Sequence, residues 1–176
     1  MSSGWIWMNR TRPTIWRRLA VPILWSRSAT NDATPRTLYV HRRVENASDL
    51  IARAKSQGFK NTLPADDMHV TVAYSRTPVD WMAAGEAWDE KVEIASGGPR
   101  VMEQFGEARV LLFASSSLKW RHDQFKEVGA SWDHPEYQPH ITISYDPDSP
   151  DLDNVEPYKG KIVLGPEVFS EVEEDV

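Results

Sequence analysis

Two imidazole–hydroxyl pairs dominate the chemistry available to this chain: His69 with Thr71, and His140 with Thr142. Each opens a seven-residue stretch, His69-Val70-Thr71-Val72-Ala73-Tyr74-Ser75 and His140-Ile141-Thr142-Ile143-Ser144-Tyr145-Asp146. Position by position the two match as His, β-branched, Thr, β-branched, small, Tyr, polar. Such alternation suits a strand, where residues i and i+2 share a face. An imidazole and a hydroxyl then project together, while Val70/Val72 or Ile141/Ile143 turn into a core. On the same parity, Tyr74 and Tyr145 fall on the face opposite the histidines and pack.

Two such pairs in one cleft fit phosphodiester chemistry. Histidine titrates near pH 6.5, so one imidazole can take a proton while the other gives one. Each role is typically worth about 10²–10⁴-fold in rate. The threonine hydroxyls can donate hydrogen bonds to the non-bridging phosphate oxygens. No metal or other cofactor is called for: no His-x-x-x-His, paired-carboxylate or P-loop pattern accompanies the site.

The elements that must position these groups follow from pattern. Thr37 to Val40 reads as a strand with Tyr39 on the face away from Leu38 and Val40. A short helix follows, capped by Asn46 or Ser48 and stopped by Gly58, and leads to the first His-Thr strand. Asp80 to Trp88 allows a helix weakened by Gly85. Strands at Lys91–Ala95 and Arg100–Phe105 are expected as a hairpin about Gly97-Gly98, before an apolar central strand at Ala108–Ala114. Ser115–Ser117 caps a helix ending at Gly129, and the second His-Thr strand starts after Pro139. Lys161–Leu164 is a last strand, continued by Glu167–Phe169. Each His-Thr strand follows a helix, so the chain holds a diverged duplication. The expected fold class is α+β: two antiparallel β lobes facing across a cleft, with helices outside.

Composition bounds the rest. The chain has 176 residues and no cysteine, which excludes disulfides and thiol chemistry. Residues 1–36 carry six Arg against one Asp, whereas residues 37–176 carry fourteen basic and twenty-five acidic side chains. So acidic a domain does not suit a long nucleic acid. The apolar run Leu19–Trp25, broken by Pro22, is too short to span a membrane. The organisation expected is an Arg/Trp-rich extension over 1–36, a domain over 37–170 and an acidic tail over 171–176.

Paired His-x-Thr strands resemble the two-histidine (2H) phosphoesterase superfamily. The flanking blocks Thr37-Leu38-Tyr39-Val40, Ala54-Lys55-Ser56-Gln57-Gly58-Phe59, Met68-His69-Val70-Thr71, Pro139-His140-Ile141-Thr142 and Ile162-Val163-Leu164-Gly165-Pro166-Glu167 are similar to one branch, the phage anti-CBASS phosphodiesterases. That resemblance implies metal-independent cleavage of 3′–5′ bonds in cyclic di- and trinucleotides, in the cytoplasm of an infected bacterium. The ribose 2′-hydroxyl attacks its own phosphate, through a 2′,3′-cyclic phosphate. It implies His69 and His140 as general base and acid, assigned in that order, with Thr71 and Thr142 as phosphate donors. Tyr39 is a candidate for stacking on a base, and Glu167 for accepting from an adenine amino group.

Other residues receive plainer expectations. His41, opening His41-Arg42-Arg43, reads as a solvated strand end, His122 as structural or exposed, and His134 as surface. Trp81, Trp88, Trp120 and Trp132 read as core aromatics. The competing functions are an RNA-end enzyme acting on 2′,3′-cyclic phosphates or 2′–5′ bonds, a non-cleaving nucleotide sponge, and a domain of a virion structural protein.

Overall fold

The computed structural model describes residues 34–173; the expectations for residues 1–33 and for the end of the acidic tail lie outside them. The first sheet is antiparallel and four-stranded. It contains β1 (Arg36–Val44), β2 (His69–Val79), β3 (Val92–Ile94) and β7 (Ile162–Ser170), in the order β2-β1-β7-β3. The second sheet is antiparallel and three-stranded, with β4 (Arg100–Phe105), β5 (Ala108–Phe113) and β6 (His140–Ser144) in that order. The described residues also form three α-helices, α1 (Ala47–Ser56), the single turn α2 (Trp81–Ala84) and α3 (Ser116–Glu127), and two short 3-10 helices at Ala65–Asp67 and Leu152–Asn154. None is long and apolar enough to cross a membrane.

The α+β expectation of two antiparallel sheets is met, and β5 is central in its sheet as its apolar sequence requires. The expected hairpin about Gly97-Gly98 does not form. β3 pairs with β7 in the first sheet and β4 with β5 in the second, so this segment carries the chain between sheets. Its glycines serve that crossing, with Gly97 in the left-handed region at φ 85°.

The duplication is visible as two β-α-β units, β1-α1-β2 and β5-α3-β6, each with its strands adjacent and antiparallel. Each helix lies against the His-Thr strand of the other unit, α1 against β6 and α3 against β2. The inner faces of both sheets share one core, in which Leu38, Val40, Val70 and Val72 meet Leu111, Ile141 and Ile143. At roughly 1.5–3 kcal/mol per fully buried aliphatic side chain, this shared core fixes the two sheets against each other.

The helix ends show where local rules hold. Ser115 Oγ accepts from the Leu118 amide at 3.2 Å, capping α3, and Gly129 leaves the helix at φ 104°. Neither Asn46 nor Ser48 caps α1. Asn46 instead bridges to β7, donating to the Lys161 carbonyl at 2.7 Å and accepting from the Val163 amide at 2.9 Å. Its amide side chain serves the strand rather than the helix. Of the segment 80–88, only Trp81–Ala84 is helical, because Gly85 at φ 81° ends it.

Candidate active site

The two histidines are oriented in the same way. His69 Nδ1 lies 2.8 Å from the carbonyl oxygen of Asp67, and His140 Nδ1 lies 2.8 Å from that of Gln138. A carbonyl can only accept, so in each ring Nδ1 carries the proton and Nε2 is the working nitrogen. The segment just before each strand therefore sets the tautomer of its histidine. β2 and β6 are in contact, and His140 lies close enough to His69 to feel its charge.

Both strands carry a β-bulge at the same place. In β2 the partners run from His41↔Thr71 to Val40↔Ala73, which skips Val72; in β6 they run from Val110↔Thr142 to Arg109↔Ser144, which skips Ile143. A bulged residue leaves its carbonyl without a ladder partner. Here both are satisfied from outside the sheet. His122 Nδ1, from α3, donates to the Val72 carbonyl at 2.7 Å. The Leu63 amide, from the segment after α1, donates to the Ile143 carbonyl at 2.8 Å. Beside the first bulge the Tyr137 hydroxyl donates to the Thr71 carbonyl at 2.7 Å, its ring stacked on His122 at 4.3 Å.

Each bulge reverses the parity of the residues beyond it. Tyr74 therefore pairs across from Tyr39, with ring centroids 5.6 Å apart, on the His69/Thr71 face. This corrects the expectation that Tyr74 packs on the opposite face. Tyr145, at the equivalent position, is 56% exposed rather than packed.

The neighbours of the two histidines differ. His69 meets the edge of His41 at 5.5 Å, and His41 is stacked on Tyr39 at 4.9 Å. His41 is thus a wall of the cleft, half-buried and opposite Thr71 in register, rather than a solvated strand end. Its Nδ1 is buried without a hydrogen-bond partner. Burial, and then the charge of His69, hold it below the usual histidine range. Burial raises the Tyr39 phenol, and the Thr71 hydroxyl beside it acts in the opposite direction. His140 meets Phe105 at 5.2 Å. Burial pushes its imidazole below the usual range, with His69 acting in the same direction and the Gln138 carbonyl opposing both.

Tyr39, His69, Thr71, His140 and Thr142 are thus all half-buried on β1, β2 and β6; Glu167 is not with them. It pairs with Arg42 on the core side of β1 and β7, fully buried, and its oxygens are already occupied. Arg121 Nε and Nη2 donate to them at 2.8 and 2.9 Å, and the Trp88 amide donates at 2.9 Å. Arg42 approaches to 3.8 Å. The carboxylate is a structural anchor with no face toward a base. This departs from the sequence expectation: the regular register pairs Glu167 with Arg42, on the face of the sheet opposite Tyr39.

The tryptophans divide. Trp81 and Trp132 are part-buried, Trp81 donating its indole N–H to the Thr37 carbonyl at 3.2 Å. Trp120 is 57% exposed and stacks on Trp88 at 5.6 Å. His134 is exposed yet lies close enough to bear on His140. Among the described residues, no group of three or more His, Cys, Asp or Glu is arranged to hold a metal ion. Of the residues missed in sequence, His41 shares Tyr39's parity on β1, a signal that could have found it. Phe105 left none.

The two antiparallel sheets and the paired His-Thr strands meet the two-histidine-phosphoesterase-like fold expected from sequence. The crystal structure of E. coli LigT complexed with 3′-AMP superposes with a TM-score of 0.55, covering 81% of this chain and 91% of that one at 13% identity. Residues 36–176 match the family model for Anti-CBASS protein Acb1, and the chain belongs to that family. An Anti-CBASS protein Acb1 of Caulobacter sp. is 55% identical over 154 residues, which are 85% of this chain and 25% of that protein. One of Vibrio phage KVP40 is 32% identical over 110 residues, 61% of this chain and 72% of that protein. The chain thus spans about a quarter of the Caulobacter relative's length.

Proposed function

We propose that this chain is a metal-independent phosphodiesterase that opens 3′–5′ linkages in cyclic di- and trinucleotides, and so removes the signal of CBASS immunity in an infected cell. The observation that carries this reading is the matched pair of imidazoles, each with Nδ1–H tied to a backbone carbonyl and each followed by a threonine on the same face. Membership of the Acb1 family supports the anti-CBASS role.

For the first step we assign the base to His140, the reverse of the sequence assignment. Its burial against Phe105 favours the neutral ring, whose Nε2 is bare. Nε2 of His140 takes the proton of the ribose 2′-hydroxyl, and that oxygen attacks phosphorus. Nε2–H of His69 protonates the departing 5′-oxygen. Hydroxyls of Thr71 and Thr142 donate to the non-bridging oxygens as charge builds there. The products are a 2′,3′-cyclic phosphate and a free 5′-hydroxyl. Water then enters along the path of the departed oxygen: His69 takes its proton, and His140 returns one to the 2′-oxygen, leaving a 3′-phosphate.

The direct test is incubation with 3′3′-cyclic GMP-AMP and with cyclic tri-adenylate in EDTA, followed by chromatography. Linear products ending in 3′-phosphate, with a transient cyclic phosphate, are expected. Intact substrates would exclude this function. Cleavage of only linear 2′,3′-cyclic phosphate ends would select the RNA-end enzyme instead.

A further inference from the structure

We propose that Tyr74 and Tyr145 form a two-fold-related pair of stacking residues that grip the two bases flanking the scissile phosphate. The proposal rests on the phosphodiester reading of the cleft and deepens it.

The starting point is that the two bulges are equivalent. Val72 and Ile143 each sit three residues after the histidine, and each has its carbonyl held by a donor from the other repeat's side of the fold. A strand has no need of a bulge for pairing, and one that is kept twice with dedicated donors re-aims the side chains beyond it. In both copies the side chain re-aimed is a tyrosine, five residues after the histidine. Without the bulge each ring would lie under the sheet. With it, Tyr74 turns onto the His69/Thr71 face beside Tyr39, and Tyr145 projects from the end of β6, 56% exposed. Both lie near enough to Tyr39 to bear on its phenol.

The operation that exchanges the two His-Thr strands passes between them, where the phosphodiester reading places the scissile phosphate. It also exchanges Tyr74 and Tyr145, so one ring belongs to each side of that phosphate. A phosphodiester has one nucleoside on each side. Stacking needs only a π-face, which every base offers, so the pair serves adenine and guanine alike. Tyr145 has a large apolar ring facing solvent with no aromatic partner among the described residues, which is the state expected of a stacking platform without its ligand.

The test uses cyclic di-2′-deoxyadenylate, which lacks the attacking hydroxyl and is not turned over, with calorimetry as the readout. Tyr145→Ala and Tyr74→Ala should each weaken binding about 5–150-fold, while Tyr145→Phe and Tyr74→Phe keep wild-type affinity. Tyr145 is exposed, so its variant reports even if Tyr74→Ala unfolds. Two linear deoxydinucleotides, one lacking its 5′ base and one its 3′ base, assign the sides. Each alanine variant should lose nothing more on the ligand missing its own base. Alanine variants that bind like wild type, phenylalanine variants as weak as alanine, or losses indifferent to which base is missing would each overturn the proposal. Wild-type protein that binds the deoxy ligand but leaves the ribo form uncut defeats the enzymatic reading and leaves the stacking pair standing. No binding at all defeats both.

Discussion

Nδ1 of His122 donates a 2.7 Å hydrogen bond to the carbonyl of Val72, the residue that bulges out of β2. The bond joins the helix of one repeat to the His-Thr strand of the other. It satisfies a carbonyl that the ladder cannot, and it keeps the face reversal that brings Tyr74 beside Tyr39. A buried histidine outside the two His-Thr pairs thus shapes what lies on the His69/Thr71 face.

Replacing His122 with phenylalanine retains the stack on Tyr137 but strands that buried carbonyl. The expected cost is about 1–3 kcal/mol of folding stability, read by urea denaturation. Weakened nucleotide binding should accompany it, because Tyr74 loses its support. A variant as stable as wild type would mean that water or another donor reaches the Val72 carbonyl.

Much of this was legible in sequence, for reasons that are local. The His-x-Thr pairs sit at the start of their strands, ahead of the bulges, so period-two alternation correctly placed His69 with Thr71 and His140 with Thr142. It failed at Tyr74 and Tyr145 because Val72-Ala73 and Ile143-Ser144 carry no composition that marks a bulge; the donors that create it, His122 and Leu63, are distant in sequence. The crossing between sheets at Gly97-Gly98 looked like a hairpin because turn chemistry is the same whether the chain returns to its neighbour or leaves it. Glu167 misled in a different way: an acidic residue in a strand reads as exposed until Arg42 and Arg121 are seen to reach it.

His69→Ala and His140→Ala should each lose about 3–5 kcal/mol of transition-state stabilisation, as expected for a general acid or base. The double variant should be scarcely worse than either single one, since the two act as a unit. Single-turnover cleavage of 3′3′-cyclic GMP-AMP measures this. Additive losses would separate the two imidazoles into independent roles.

In the proposed mechanism the acid limb of the pH profile is set by the state of His140. As the base it must be neutral, and burial holds its folded pKa below the usual 6.5. Activity therefore rises with pH through a value below about 6.5 and is already high at neutrality. A kcat/KM profile whose acid limb lies above that value would return the base role to His69.

Folding stability should respond to acid in the same interval. His41, His122 and His140 are each held low by burial, so the unfolded chain binds their protons more readily. Their contribution is complete above the unfolded value of about 6.5 and is lost as pH falls through the lower folded values. Denaturation midpoints measured from pH 8 downward should fall below neutrality, well before carboxylates begin to titrate. The slope should flatten in His122→Phe, and an unchanged slope there would assign the effect to other groups.

Glu167 gives the sharpest contrast between a structural and a substrate-reading role. Its carboxylate is fully buried, holds Arg121 by two hydrogen bonds and faces Arg42 at 3.8 Å. Arg42 is itself committed, donating to the carbonyls of Gly165 at 2.7 Å and Glu90 at 2.9 Å. Removing the negative charge leaves two buried guanidinium groups uncompensated, and breaking a buried pair in this way costs about 3–5 kcal/mol. Glu167→Gln should therefore lower the denaturation midpoint steeply. At a temperature where it remains folded, its ratio of activity on cyclic di-adenylate to cyclic di-guanylate should equal that of wild type, because the side chain never meets a base. A changed ratio with the fold intact would place Glu167 back among the residues that read the substrate.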